Sequence, residues 1–320
     1  MILAGDIGGT KTNLAFFTAG LKVIVQDRYP SHEHSSLTEI VNLFVADKKI
    51  HPEFACFAIA GPVREGICKA TNLPWIVDAR ALEAELGIPK VHLINDLEAN
   101  AYGIAALGPQ DLVTLNAGKP CAGNAAVISA GTGLGEAGLY WNGKEHLPFA
   151  CEGGHTDFAP RNEMEIDLLL YLSKEFGHVS YERMLSGPGI YNLYRFLRDS
   201  GRGREAPWFA EEAQKTDPTI LVCNAALANR CSLCVQTVQL FVMLYGAEAG
   251  NWALKMMAYG GVYLGGGIAP RLLSFLNQGS FVENFVAKGR FEWLLKDIPV
   301  QVITNDKTAL LGAGLCALRG

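Results

Sequence analysis

Two short glycine-rich stretches hold the chemistry that this chain displays most openly. Residues 126–138 read AVISAGTGLGEAG, with Gly133, Gly135 and Gly138 spaced as GxGxxG directly after an apolar run. That is the written form of a dinucleotide fingerprint, and Glu152 lies where a ribose-binding acid is expected. The fingerprint needs a helix immediately after its glycines, because the pyrophosphate rests on that helix's N-terminus. Here Leu139-Tyr140-Trp141 follow, and then Asn142-Gly143, which favours a strand ended by a tight hairpin turn. Hydride transfer with a nicotinamide cofactor is therefore disfavoured.

The second stretch, GDIGGTKT at residues 5–12, matches a Walker-type GxxxxGK[ST] loop except that Thr10 replaces its second glycine. NLAFF follows, again strand-like, so both loops read as turns of β-hairpins. Consecutive amides in such a turn form a concave nest that binds anions without any helix. Thr10, Thr12 and Thr132 add hydroxyl donors. Two such nests facing each other suit the β- and γ-phosphates of one nucleotide. A third glycine cluster stands at 265–267.

The elements that must position these loops alternate. Residues 2–4 and 14–17 are short apolar runs flanking the first loop, and 21–26 is a third strand-like run. Helical spacing marks 37–47, a strand is expected at 54–61, a helix at 79–88 closed by Gly87, a strand at 91–96 and a helix at 97–107. After Gly108-Pro109 the pattern restarts: strand 125–130, glycine turn, strand 136–141. The blocks 2–17 and 126–141 read as two copies of one unit, which suggests two related domains sharing a cleft. A strand ending in Gly265-Gly266-Gly267, a strand at 300–305 and a helix at 309–320 complete an α/β chain.

Composition narrows the class. The chain has 320 residues, enough for two cores, and its net charge of −5 argues against a nucleic-acid partner held by phosphate neutralisation. The N-terminus MILAGDIGGTKT has no basic region or long apolar run, so a cytoplasmic protein is expected. The apolar stretch 235–258 is interrupted by Gln236, Gln239, Glu248, Asn251 and Lys255, so it reads as a buried helix and no membrane association is expected. Among the eight cysteines only Cys231 and Cys234 have metal-ligand spacing. With no second pair to complete a zinc site, packing at i, i+3 of a helix is preferred.

Nearly the whole chain resembles bacterial glucokinases of the proteobacterial type, within the actin-like, hexokinase-type ATPase clan. The segments that carry the resemblance are GDIGGTKTNLA (5–15), ATNLPW (70–75), INDLEANAYGI (94–104), SAGTGLGEAGL (129–139), CEGGHTDFAP (151–160), GHVSYERMLSGPGIYNLY (177–194), YLGGGIAPRLL (263–273), KGRFEWLLKDIPVQVI (288–303) and LLGAG (310–314). It implies an α/β, actin-like (ribonuclease H-like) two-domain fold with a cleft between the domains. Residues 1–108 plus 303–320 would form a small domain and 109–302 a large one. It further implies transfer of a phosphoryl group from ATP to the 6-hydroxyl of glucose, Mg²⁺ dependence, and commonly a homodimer. The ATP-binding stretch falls on Gly5, Asp6, Ile7, Gly8, Gly9 and Thr10, with a second phosphate loop at Gly131, Thr132 and Gly133 and adenosine-side glycines at Gly265, Gly266 and Gly267. Sugar-binding and catalytic positions fall on Asn95, Asp96, Glu152, His155 and Glu182. The broader ROK kinases carry a Cys-rich zinc loop, and no CxCGxxGC follows EGGH here. A ROK repressor, which carries an N-terminal DNA-binding domain, is not expected, since DIGGT begins at residue 6.

Phosphoryl transfer needs an oriented nucleophile, an acceptor for its proton, and cations and amides around the moving phosphate. Asp96 is the expected base. It closes the strand VHLIND, the end where α/β sheets place their ligand crevice, and an ordinary Asp pKa of about 3.9 leaves it ionised at pH 7. Taken alone, Asp96 also suits the N-cap of the following helix. Glu152, His155 and Glu182 suit a polyol, since carboxylate oxygens accept from adjacent hydroxyls, and Gly153-Gly154 let the backbone close on a small ligand. Asn72 is a further sugar-site candidate. Asp6, a carboxylate beside polyphosphate, is assigned to Mg²⁺ through water, because Mg²⁺ dehydrates reluctantly. A kinase for fructose or mannose is the nearest alternative. A non-enzymatic actin-like ATP switch would need neither EGGH nor an Asn-Asp at a strand end.

Overall fold

The computed structural model describes residues 1–319, which divide into two compact units. The first comprises Met1–Asp111, His146–Ala150 and the segment from Asn305 onward; the second comprises Leu112–Glu145 and Cys151–Thr304.

In the first unit, β1 (Ile2–Ile7) and β2 (Lys11–Phe17) form the expected antiparallel hairpin, extended by β3 (Val23–Pro30). After α1 (Leu37–Lys48), β4 (Phe54–Ile59) adds parallel to β1. A small meander of β5 (Val63–Arg64), β6 (Ile67–Lys69) and β7 (Ile76–Asp78) leads into α2 (Ala79–Leu86), and β8 (Lys90–Asn95) then pairs parallel with β4 before α3 (Asp96–Gly103). The main sheet therefore runs β3-β2-β1-β4-β8.

Period-2 alternation assigns its two faces different neighbours. Leu3, Ile7, Leu14, Phe16, Phe57 and Ile59 share a core with α1 and α2 residues, including Phe44, whose ring stacks on Phe16 at 4.9 Å. The opposite face offers small residues, among them Ala4, Ala15, Cys56 and Ala58.

The second unit repeats the scheme. After β9 (Leu112–Asn116), β10 (Ala125–Ala130) and β11 (Leu134–Trp141) form an antiparallel hairpin. Gly143 takes φ +94 in the turn toward β12 (His146–Cys151), as the Asn-Gly pair foretold. The helices α4 (Glu163–Phe176), α5 (Gly187–Asp199), α6 (Phe209–Glu212), α7 (Pro218–Leu227) and α8 (Ser232–Met256) follow. Strand β13 (Gly261–Gly265) pairs parallel with β10. After α9 (Ile268–Arg271), α10 (Leu273–Leu276), α11 (Ser280–Val286) and α12 (Glu292–Asp297), β14 (Val300–Ile303) pairs parallel with β13. The order β2-β1-β4-β8 thus has the same sense as β11-β10-β13-β14, so the sequence repeat is a repeat of topology.

Helix α8 is the centre of this unit's core. Its Tyr245 hydroxyl donates to Ile128 O at 2.9 Å and its Trp252 indole to Val127 O at 3.1 Å, which satisfies both polar tips inside apolar surroundings. Among the described residues no single helix is long and apolar enough to cross a membrane; α7 and α8 together pass that test by composition but are bent by 99° at their break. Cys234 is buried within α8, whereas Cys231 precedes the helix as its N-cap residue, so the two are not both helical as expected.

Helix α13 (Thr308–Arg319) returns to the first unit and covers the small-residue face of its sheet beside α3. The two helices touch backbone to backbone: a Cβ on Gly312 would overlap Ala99 O, and one on Gly103 would overlap Thr308 O. Alanine is the better helix former by up to about 1 kcal/mol, but overpacking against an immovable carbonyl costs about 1–3 kcal/mol. Gly312→Ala is therefore expected to lower the melting temperature despite the propensity gain. A variant melting at or above the wild type would show that the helices part without cost.

Candidate functional site

In the first unit most of the predicted residues lie at the C-terminal ends of β1 and β8, the edge where open α/β sheets hold ligands, and Asn72 lies between β6 and β7. The turn Gly8–Thr10 closes the β1–β2 hairpin, with Gly8 N donating to Lys11 O at 3.0 Å. Its carbonyls are tied back by one residue, Ser31, just beyond β3. The Ser31 hydroxyl donates to Gly8 O at 2.8 Å and its amide to Thr10 O at 3.1 Å, while its oxygen also pairs with the buried Thr12 hydroxyl at 3.0 Å. The Gly9 and Thr10 amides donate to no protein acceptor among the described residues. Two of the turn's three carbonyls are thus occupied while two successive amides are left free, a pattern that suits an anion-binding nest.

Asn72 packs directly on this turn, so that a Cβ on Gly9 would lie 2.6 Å from Asn72 Cβ. Gly5 and Ile7 contribute differently. Gly5 lies within β1, where a Cβ would press on Phe57 and Leu14, and Ile7 is buried in the same core. Both place the loop rather than present a side chain to a ligand.

Asp6 faces Asn13 across the hairpin, one pair before the turn. Asn13 Nδ2 donates to Asp6 Oδ2 at 3.2 Å, and Arg28 Nε donates to Asn13 Oδ1 at 2.9 Å. Burial raises the Asp6 carboxyl above its usual range, and the Asn13 bond only partly offsets that. A nearby cation would reverse the shift by favouring the charged form. Asp6 Oδ1 receives no protein hydrogen bond among the described residues. One carboxylate oxygen free and the rest of the shell left to phosphates and water fits the habit of Mg²⁺.

Strand β8 ends at Asn95, one residue earlier than expected, and Asp96 is the first residue of α3. The N-cap is Asn95, not Asp96. Asn95 Oδ1 accepts from Leu97 N at 2.8 Å, and its Nδ2 donates to Gly61 O at 3.1 Å, stapling the ends of β4 and β8 together. Asp96 Oδ1 shares the same Leu97 amide at 3.0 Å. The helix N-terminus favours negative charge at this position.

In the second unit, the turn Gly131–Gly133 follows the same plan. Gly131 O accepts from Gly187 N at 2.8 Å and Gly133 O from Gly131 N at 2.9 Å, while the Thr132 and Gly133 amides have no protein acceptor among the described residues. Gly187 is set by Thr219, whose hydroxyl donates to its carbonyl at 2.8 Å. The turn is followed by a strand, not a helix, which removes the dinucleotide fingerprint. At the end of β13, Gly266 takes φ +78, and a Cβ there would overlap Ala130 O, so no other residue fits. Gly267 is open, with nothing within 4 Å of a Cβ position.

Glu182 and His155 come together here. Glu182 Oε2 accepts from Leu134 N at 2.9 Å, and Glu182 Oε1 lies 4.0 Å from His155 Nδ1. His155 is exposed, and so is Glu152 at the start of the same turn. The glycines between them answer to packing. A Cβ on Gly153 would overlap the Glu136 carboxylate and one on Gly154 would overlap Leu134 O. They let the turn lie flat on β11. Among the described residues no group of His, Cys, Asp and Glu is placed to hold a metal by itself.

Several of these contributors escape a reading of the sequence. Asn13 was within reach, because pairing the hairpin about its turn places it opposite Asp6. Ser31, Thr219 and Gly187 carry no sequence signal, since each acts from a distant element.

A family profile described as Glucokinase matches residues 3–320. The chain belongs to the glucokinase family. It is accordingly an enzyme. A glucokinase of Nostoc punctiforme (strain ATCC 29133 / PCC 73102) is 46% identical over 339 residues, spanning 100% of this chain and 99% of that relative. A glucokinase crystal structure from an Antarctic psychrotroph superimposes with a TM-score of 0.87 at 32% identity, covering 100% of this chain and 99% of that one. The fold recurs at 23% identity in a Balamuthia mandrillaris glucokinase solved in complex with glucose, with a TM-score of 0.81 over 100% of this chain and 93% of that one. The fold is thus the actin-like two-domain kinase fold of this family.

Removing the Ser31 hydroxyl releases Gly8 O and leaves the buried Thr12 hydroxyl without its partner. Ser31→Ala is expected to cost about 1–3 kcal/mol of unfolding free energy. In a coupled kinase assay it should raise the KM for ATP more than that for glucose. Equal changes in both would show that Ser31 does not act through the first loop.

Proposed function

We propose that the enzyme transfers the γ-phosphoryl group of ATP to the 6-hydroxyl of glucose, with Asp96 as general base. The sugar oxygen forms a bond to phosphorus as the bond to the β–γ bridging oxygen breaks. ADP leaves, and the hydroxyl proton passes to Asp96. The observation that supports this best is the position of Asp96 at the N-terminus of α3, beside Asn95 and beyond β8, in a chain of this family. A helix N-terminus favours negative charge, which suits a base for an alcohol.

The two turns supply the electrostatics. The free amides of Gly9, Thr10, Thr132 and Gly133 serve the phosphates, and Gly265, Gly266 and Gly267 form the floor for adenosine. Fixed dipoles aimed at developing charge stabilise a phosphoryl-transfer transition state without reorganising. When bound, Mg²⁺ neutralises charge on the β- and γ-phosphates, and Asp6 is the residue to hold it, through water. Glu152, His155, Glu182, Asn95 and Asn72 take the sugar hydroxyls. Glu182 is the best set of these, because the Leu134 amide fixes one of its oxygens and leaves the other toward His155. The same resemblance supports a cytoplasmic homodimer acting at the entry to glycolysis.

Asp96→Asn should lower kcat by about 10²–10⁴-fold, the usual contribution of a general base, while calorimetric affinities for ATP and glucose stay within a few-fold. Near-normal kcat in this variant would remove Asp96 from the mechanism. A coupled assay across glucose, fructose, mannose and N-acetylglucosamine should give the highest kcat/KM with glucose. A higher value for another sugar would reassign the substrate.

A further inference from the structure

Beneath the EGGH turn lies a group of ionisable side chains that phosphoryl transfer leaves unused. Glu136, on β11, is fully buried, and the Gly153 backbone rests directly on its Oε2. Glu248, on α8, is also fully buried and adjoins Glu136. Neither Glu136 oxygen has a hydrogen-bond donor from another side chain or amide, and Glu248 Oε1 has none either. Asn251 Nδ2 donates to Glu248 Oε2 at 2.7 Å, and Lys255 Nζ stands 3.6 Å from Oε1.

Two adjoining carboxylates in an apolar interior cannot both stay ionised cheaply, and three buried acceptor oxygens without donors are costly. A single proton held between the two carboxyls relieves both problems. It removes one charge and joins one Glu136 oxygen to Glu248, leaving one of the three oxygens without a donor. We propose that Glu136 is a positioning residue for the sugar-binding turn: kept neutral by a proton shared with Glu248, it fixes the Gly153–Gly154 backbone and thereby Glu152 and His155. Sugar affinity then requires that proton. The inference rests on the reading that Glu152 and His155 bind the sugar.

The surroundings indicate where the proton is lost. Burial, with Glu248 second, pushes Glu136 up to about 8. Burial also raises the Tyr181 and Tyr245 hydroxyls and the Cys151 thiol, so these remain neutral near that pH. Arg161 and the buried Glu165 pair with each other at 2.6 Å. Lys288 is the group that titrates in the same window. Burial lowers it to about 8, and its Nζ donates to Asn251 Oδ1 at 2.6 Å, on the residue that holds Glu248. Below pH 8 Glu136 is neutral and the turn is supported; above it a second buried negative charge forms and the support is lost.

The test is the KM for glucose from pH 7 to 9 in the wild type, Glu136→Gln and Glu152→Gln, with kcat and the KM for ATP measured alongside. Titration near 8 predicts a rise of about tenfold in the wild-type KM for glucose by pH 9, with much smaller changes in the other two constants. Glutamine mimics the neutral acid, so Glu136→Gln should hold its KM within twofold across the range. An alkaline rise that persists in Glu136→Gln, or is absent from the wild type, overturns the proposal; persistence assigns the rise to Lys288. Glu152→Gln separates the underlying reading: if it leaves the KM for glucose unchanged, the sugar assignment fails whatever Glu136 does. Should Glu136→Gln melt below the assay temperature, Glu248→Gln breaks the same pair from α8 and is judged by the same flat profile.

Discussion

The constraint on which this structure depends is the disposal of backbone carbonyls at two tight turns. A peptide turn exposes acceptors as readily as donors, and a mixed surface repels phosphate as much as it attracts it. Both turns reduce this by giving two of their three carbonyls to the protein. Ser31 takes Gly8 O and Thr10 O; Gly187 takes Gly131 O, and Gly131 takes Gly133 O. Two successive amides stay free in each turn, Gly9 and Thr10 in one and Thr132 and Gly133 in the other, in a geometry fixed by these bonds. Most of the fixing residues come from elsewhere in the chain, so the free amides of each turn are a tertiary property built on a local one.

The same economy shapes the rest of the site. Asn95 caps α3 with its oxygen and clasps the end of β4 with its nitrogen, so one side chain sets both the helix carrying Asp96 and the sheet edge beneath it. The small residues on the sheet face under α3 and α13 serve this placement too. Alanine and glycine allow the helices to approach to backbone contact, and a helix held by backbone contact has little freedom to carry Asp96 elsewhere. In the second unit Glu182 both seals the Leu134 amide and faces His155, which couples the Gly131–Gly133 turn to His155 through a single carboxylate.

Much of the fold was legible because its signals are local. The hairpin turns, the helix at 37–48 with its amphipathic spacing, Gly87 closing α2 and the Asn142-Gly143 turn each follow from rules spanning a few residues. The internal repeat was legible for the same reason: two matching strand–turn–strand units give two matching parallel extensions, β4 on β1 and β13 on β10. Boundaries depend on partners more distant in the chain. Asn95 and Asp96 both suit an N-cap, and Gly61 O, just beyond β4, engages the Asn95 amide and holds it in that place.

By itself the sequence determined the glycine turns, the alternation of strands and helices, the two-fold repeat and the family, because each is written in residue types at short spacing. Only the tertiary structure decided which groups are satisfied and which are left free. Glu136 shows the difference. In the sequence it is an ordinary carboxylate in a strand; in the fold it is enclosed with Glu248 under Gly153, and burial changes its chemistry. Solvation and hydrogen-bond partnership depend on what the rest of the chain brings alongside, and no local pattern encodes that.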